Sequence, residues 1–261
     1  MKEEGNLSQK EIDNLLKKES IPFMFTLAKR LTSKNQVKEA LKIFEWIESQ
    51  DDSFKYTHKN KLQHQKAILL SHDTIKDWDG AIDILRSLYH ASHYHLEEPE
   101  ILTLLASNHK RKALDSAKSR DEVDMNLLTS ALCLYEDSYN LKPDNKKYYD
   151  AINLAYLYNI VDAIEMEHAD KSEIEMLYQN LLKVWNINTS NWWEVCSNAE
   201  FLMLLGQVDL AIEKIDEFLT TSQDTVINPF PLFRQLRLYI RFTDDEGAKR
   251  FLGELMKRWN I

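Results

Sequence analysis

The sequence predicts an all-α fold, a right-handed solenoid of about six antiparallel helix hairpins, on three observations. First, an alanine recurs at one position of a helix pair, at Ala40, Ala81, Ala131, Ala211 and Ala248. Second, a larger residue follows each four places on, at Phe44, Leu85, Tyr135, Ile215 and Leu252, and beyond these stand Ile47, Leu88, Ser138, Phe218 and Leu255. Positions i, i+4 and i+7 share one helix face, and a small side chain in that face lets a neighbouring helix approach closely. Third, only five glycines and five prolines punctuate 261 residues, too few for a turn-rich sandwich or barrel, while Leu, Lys, Glu and Ala supply strong helix formers. Upstream of most of these alanines a further stretch reads as a helix. The repeating unit is therefore a helix hairpin, and such units stack so that each rests on its neighbours.

The element order follows from that register. Residues 1–20 form a polar N-terminal segment, partly helical and frayed over 1–9, and residues 21–261 a single helical-repeat domain. The first hairpin, near 21–49, carries Ala40, Phe44 and Ile47; the second, near 57–90, carries Ala81, Leu85 and Leu88, with an irregular stretch at 51–56 between them. The third, near 99–141, holds Ala131, Tyr135 and Ser138 and is lengthened by 116–124; the fourth, near 147–185, is placed by lining up its neighbours. The fifth, near 191–220, is the clearest: Trp192, Val195, Ala199 and Leu202 on its first helix, Gly206 at the turn, Ala211, Ile215 and Phe218 on its second. The sixth, near 229–259, is set off by 223–231 and carries Ala248 and Leu255.

The fifth hairpin resembles a full tetratricopeptide repeat, and Ala131, Tyr135, Ser138 and Pro143 resemble the small-aromatic-small-proline end of the same motif. A narrower resemblance is carried by Pro99-Glu100-Ile101-Leu102-Thr103-Leu104-Leu105-Ala106-Ser107-Asn108-His109-Lys110-Arg111. It continues through Ala131-Leu132-Cys133-Leu134-Tyr135, Pro143 and Tyr148-Tyr149-Asp150-Ala151-Ile152-Asn153-Leu154-Ala155. These stretches are similar to the TRAF-binding domain of MAP-kinase-kinase-kinases and its bacterial relatives, over about residues 99–158. Ala151 and Ser107 depart from that pattern, standing where the family tends to have glycine. The resemblance implies a tetratricopeptide-like regulatory region that binds proteins and controls an effector. With no kinase or other effector sequence in this chain, such control would act in trans.

A net charge of −9 argues against phosphate-backbone binding, which needs a concentrated basic surface, so nucleic acid is not an expected partner. The one compact basic run, His109, Lys110, Arg111 and Lys112, spreads around a helix and reads as a solvated face ahead of a ligand or basic patch. The sequence has no membrane-length apolar run and no apolar stretch behind a basic start, so a cytoplasmic chain without a membrane partner is expected. Cys133 and Cys196 both fall in helices and read as reduced core or groove residues. His90, His93 and His95 lie close together, but no Cys or acidic partner has a zinc spacing, so no metal and no other cofactor is expected. Phosphate loops, nucleophile elbows and His-Glu-x-x-His are absent, and the expectation is that the chain is not an enzyme.

The first helix of each hairpin lines the concave face in this register. That assigns Tyr149, Ile152, Tyr156 and Asn159 of the fourth hairpin, Trp193, Cys196 and Glu200 of the fifth, and Phe230, Phe233, Arg237 and Arg241 of the sixth to an aromatic groove with basic residues at one end. Aromatic and Arg side chains are the usual binding anchors. The expected function is a scaffold or regulatory subunit engaging a protein or peptide, an effector enzyme among the candidates, through that face. The alternative is a nucleotide or metabolite sensor with a pocket near Asn108, Arg111, Lys112 and Asn153. Asn153 also falls where such hairpins use Asn to bond neighbouring backbone. Trp259 and Ile261, at the end of the sixth hairpin, either close the last helix or support self-association.

Overall fold

A computed structural model describes residues 7–50, 54, 57–91, 98–165, 171–183, 192–221 and 229–259. Among the described residues every regular element is helical: 13 α-helices and two short 3-10 turns. The expected irregular stretches 51–56 and 223–231 lie largely outside the described residues, as do His93, His95 and Ile261. The chain forms two compact units, residues 1–108 and 109–261.

The first unit contains α1 (Gln9–Leu15), α2 (Ile21–Ser33), α3 (Val37–Ser49), α4 (Lys59–Leu70), α5 (Trp78–His90) and the start of α6 (Glu98–Asp115). Helix α1 is more than a polar lead. A capping box joins Ser8 and Glu11, Ile12 is fully buried in the core with Met24, Ile43 and Phe44, and Asp13 pairs with Lys42 of α3 at 2.5 Å. Helices α2 and α3 pair, as do α4 and α5, which are the first and second predicted hairpins.

The second unit contains the end of α6, then α7 (Met125–Leu141), α8 (Tyr148–Glu165), α9 (Lys171–Leu182), α10 (Trp192–Leu204), α11 (Val208–Thr221), α12 (Phe230–Thr243) and α13 (Glu246–Trp259). Pairs α8 with α9, α10 with α11 and α12 with α13 are the fourth to sixth hairpins. All five register alanines have no solvent exposure. Phe44, Leu85, Tyr135 and Ile215 are equally enclosed, but in the last helix Phe251 takes the core place assigned to Leu252, which is half-buried.

The turn ahead of that helix differs as well. Asn35, Lys76 and Gly206 adopt positive φ five residues before Ala40, Ala81 and Ala211, whereas Asp244, at φ 59°, stands four before Ala248. Two of these turns close as full Schellman motifs. Gln36 N–H donates to the Leu31 carbonyl at 2.9 Å and Asn35 N–H to Thr32 at 3.0 Å; Gln207 and Gly206 repeat the pattern on Leu202 and Met203. Lysine has no side-chain compensation for the left-handed conformation that Lys76 adopts. Lys76→Gly is therefore expected to raise stability by about 0.5–1 kcal/mol in urea unfolding, and Gly206→Ala to lower it by about as much.

Candidate functional site

The site lies within the second unit, in the layer formed by α8, α10, α12 and the end of α6. Helix α8 is buried without a break from Asp150 to Leu157, and α10 from Cys196 to Leu204. A helix enclosed on all sides is a core helix and does not have one face open to a groove. Helices α8 and α10 run parallel: Glu194 acts on Tyr148 near their starts, and about two turns on, Tyr156 donates its hydroxyl to Glu200 Oε1 at 3.1 Å. Helix α12 packs on α8, with the Tyr156 and Tyr239 rings edge-to-face at 5.1 Å. It is also tied to α6 by the Arg234–Asp115 ion pair, and to the segment after α6 by Arg241, whose Nη1 donates to the Ala117 carbonyl at 3.1 Å. The sixth hairpin thus reaches back to the start of the unit, and the inner layer is closed.

Four polar side chains meet inside that layer. The Lys110 ammonium donates to Asn153 Oδ1, while Asn153 Nδ2 donates to the Tyr149 carbonyl at 2.7 Å. Glu200, 5% exposed, accepts from Tyr156. Each charged group is held by a neutral partner. Although part of the Lys110 side chain is accessible, desolvation of its ammonium, reinforced by repulsion from Arg111, pushes its pKa down to about 7. Burial pushes the Glu200 carboxyl up to about 8, against the opposing pull of the Tyr156 hydrogen bond and of Lys110. The Cys196 thiol and the Tyr156 phenol beside them are raised well above their ordinary values, first by burial and then by Glu200. Such shifts cluster at functional sites.

A second buried polar group is structural. Asp150, with no exposure at the start of α8, pairs with Lys142 at 2.6 Å and accepts from Ser138 at 3.1 Å, clamping α7 to α8. Tyr178 of α9 likewise donates to Asn198 of α10 at 2.8 Å.

The residues assigned to a groove divide into two sets. Ile152, Tyr156, Asn159, Cys196, Glu200 and Phe233 are buried, and Asn159 bonds the Ala155 carbonyl at 2.9 Å. Tyr149, Trp193 and Phe230 are 41%, 46% and 64% exposed, and Arg237 and Arg241 are exposed too. Tyr149, Trp193 and Phe230 all stand in the first turn of their helices. The basic run is not a solvated face: His109 is buried, Lys110 turns inward, and Arg111 and Lys112 are half-buried. Lys110 of that run meets Asn153. Asn108, the last residue of the first unit, is buried, donating to the Leu104 carbonyl at 2.8 Å while its Oδ1 has no hydrogen-bond partner. Cys196 is buried, but Cys133 is an exposed free thiol, because it sits two residues from Ala131 and so on the opposite face of α7. Trp259 packs against Trp192 and Phe233, with centroids 5.9 and 5.8 Å away. No described residues form a cluster of three or more potential metal ligands, and no described helix is long and apolar enough to cross a membrane.

Paired helices, most with a buried alanine at the crossing, define a tetratricopeptide-like helical-repeat protein. Residues 29–158, just under half of the chain, match the family described as Tetratricopeptide Repeats-Sensor. Lys110, Asn153 and Tyr156 fall inside the matched stretch, whereas Glu200 and Tyr239 lie beyond it. No curated protein matches the chain.

Proposed function

We propose that this protein is a non-catalytic, cytoplasmic sensor: a helical-repeat regulator that takes a small polar ligand, a nucleotide or metabolite, into the closed inner layer of its second unit and signals occupancy to a protein partner. The observation that carries this reading is the placement of Lys110 and Glu200 in one desolvated layer, each on a neutral side chain. Keeping charges there is costly to folding, and a site held at such a cost is a candidate for function. The similarity of residues 29–158 to a family described as a sensor supports it. So does the resemblance of 99–158 to a regulatory region that controls effectors in trans. The test is a thermal-shift screen of the purified chain with nucleotides and signalling metabolites, beside Lys110→Met and Glu200→Gln. A ligand-dependent rise in Tm lost in both variants is the expected result. Shifts that survive both substitutions would move the site elsewhere.

Protein binding at the rim is favoured by a separate observation, the exposed aromatics Tyr149, Trp193 and Phe230 in the first turns of parallel α8 and α10 and of α12. Aromatic anchors of this kind dominate binding energy where a partner buries them. In affinity purification from the host, the Tyr149→Ser, Trp193→Ser, Phe230→Ser triple variant is expected to lose a stoichiometric partner while keeping the wild-type circular dichroism. Tyr156 is not suited to this test, because its buried ring packs on Tyr239 and its loss would disturb the core.

A further inference from the structure

We propose that the ligand is a small zwitterion of the amino-acid type, its acidic group seated at Lys110 and its amino group at Glu200. This rests on the sensor reading above and names the ligand class for the same site.

Charged groups at the layer come from α6, α8, α10 and α12. Helix α6 supplies Lys110, Arg111 and Asp115, α10 supplies Glu200, and α12 supplies Arg234, which is already paired with Asp115. Helix α8, between them, sets the neutral Asn153 and Tyr156 against Lys110 and Glu200, its buried Asp150 being paired with Lys142, and α12 adds Tyr239. Lys110 and Glu200 are each hydrogen-bonded to an uncharged partner rather than to the other. An ammonium has three donors and a carboxylate two acceptor oxygens, so each keeps capacity for a ligand beyond Asn153 and Tyr156.

A single-charge ligand satisfies half of this arrangement. An anion at Lys110 would face the Glu200 carboxyl and hold it protonated; a cation at Glu200 would face Lys110 and, beyond it, Arg111. A zwitterion offers each group its opposite charge. It restores the ammonium of Lys110 and the carboxylate of Glu200 together, and the partly accessible Lys110 side chain gives it a way in. The proton balance differs as well. Near pH 7.5, a zwitterion takes a proton onto Lys110 and releases one from Glu200, whereas an anion alone produces net proton uptake.

The test uses glycine, β-alanine, 4-aminobutyrate and 6-aminohexanoate on the full chain, with propionate and propylamine as single-charge probes. At least one ω-amino acid is expected to raise Tm, by about 5 °C at a hundredfold excess over its Kd. Neither propionate nor propylamine should do so, and the shift should vanish in both Lys110→Met and Glu200→Gln. Calorimetric titration of the best ω-amino acid in phosphate and in Tris should give nearly equal apparent enthalpies, since net proton exchange is small. The inference is overturned if no ω-amino acid shifts Tm or if propionate matches the best of them. In that event, a nucleotide or other anion whose effect is lost in Lys110→Met would preserve the sensor reading and remove only the zwitterion. Absence of any Lys110-dependent shift across both panels would remove both.

Discussion

Lys110→Met is expected to stabilise the protein at pH 7 by about 1–3 kcal/mol, an unusual sign for the loss of a hydrogen-bonded core side chain. The wild-type ammonium is desolvated and partnered by the neutral Asn153, and a methionine of similar length fills the space without that cost. The sign of its pH dependence follows from linkage. Lys110 is lowered from 10.5 to about 7, so between those values the unfolded chain binds the proton that the folded chain has released. Wild-type stability therefore gains with rising pH through that window, and the advantage of Lys110→Met is largest below pH 7 and fades towards pH 10. Glu200 behaves in the opposite way. Raised from 4.5 to about 8, it makes the folded state the tighter proton binder over that range, so its contribution is lost as pH rises. The advantage of Glu200→Gln over wild type should grow from about pH 5 to pH 8 and then level off. Urea unfolding of the three proteins across pH 5–10 checks both limbs. A flat difference curve would show that neither group is desolvated.

The second large effect concerns the α7–α8 clamp and has the ordinary sign. Lys142→Met should destabilise the protein by about 3 kcal/mol, because it removes the ammonium that pairs with the fully buried Asp150 carboxylate. Adding Asp150→Asn should recover a large part of that loss, since the buried charge that Lys142 offsets is then gone while Ser138 keeps a partner. Both changes are read from urea unfolding. The contrast between the two lysines is informative: the one facing a buried carboxylate supports the fold, and the one facing an amide opposes it.

Much of the fold was legible because close helix packing needs a small residue at a fixed place, and alanine at that place is visible in sequence. The fourth hairpin lacks such an alanine, and α9 buries Ile174, Leu177, Tyr178 and Leu181 instead. The turn residues were legible only where their chemistry is special. Gly206 announces a left-handed turn, whereas Lys76 adopts the same φ with no preference for it. The inner layer was half legible. The near-continuous apolar run from Ala151 to Leu157 is that of a helix enclosed on all sides, with Asn153 the single polar residue, yet the repeat register alone assigns α8 to an open groove. What closes the layer is the return of α12 to α6, and the Arg234–Asp115 pair spans 119 residues, a contact no local pattern encodes. The same closure turns Lys110 from one member of a basic run into a desolvated ammonium. For α1, a polar composition hid the one residue that matters, Ile12, which is fully buried.

A ligand site at Glu200 requires that the inner layer of the second unit hold that carboxyl out of water. The most direct measurement is a carbon-13 NMR titration of the glutamate carboxyl carbons in the ligand-free protein, with Glu200→Gln to assign the resonance. The expected result is one carboxyl that titrates near pH 8, well above the ordinary glutamate value of 4.5, and disappears in the variant. A Glu200 resonance that titrates with the surface carboxylates would contradict it.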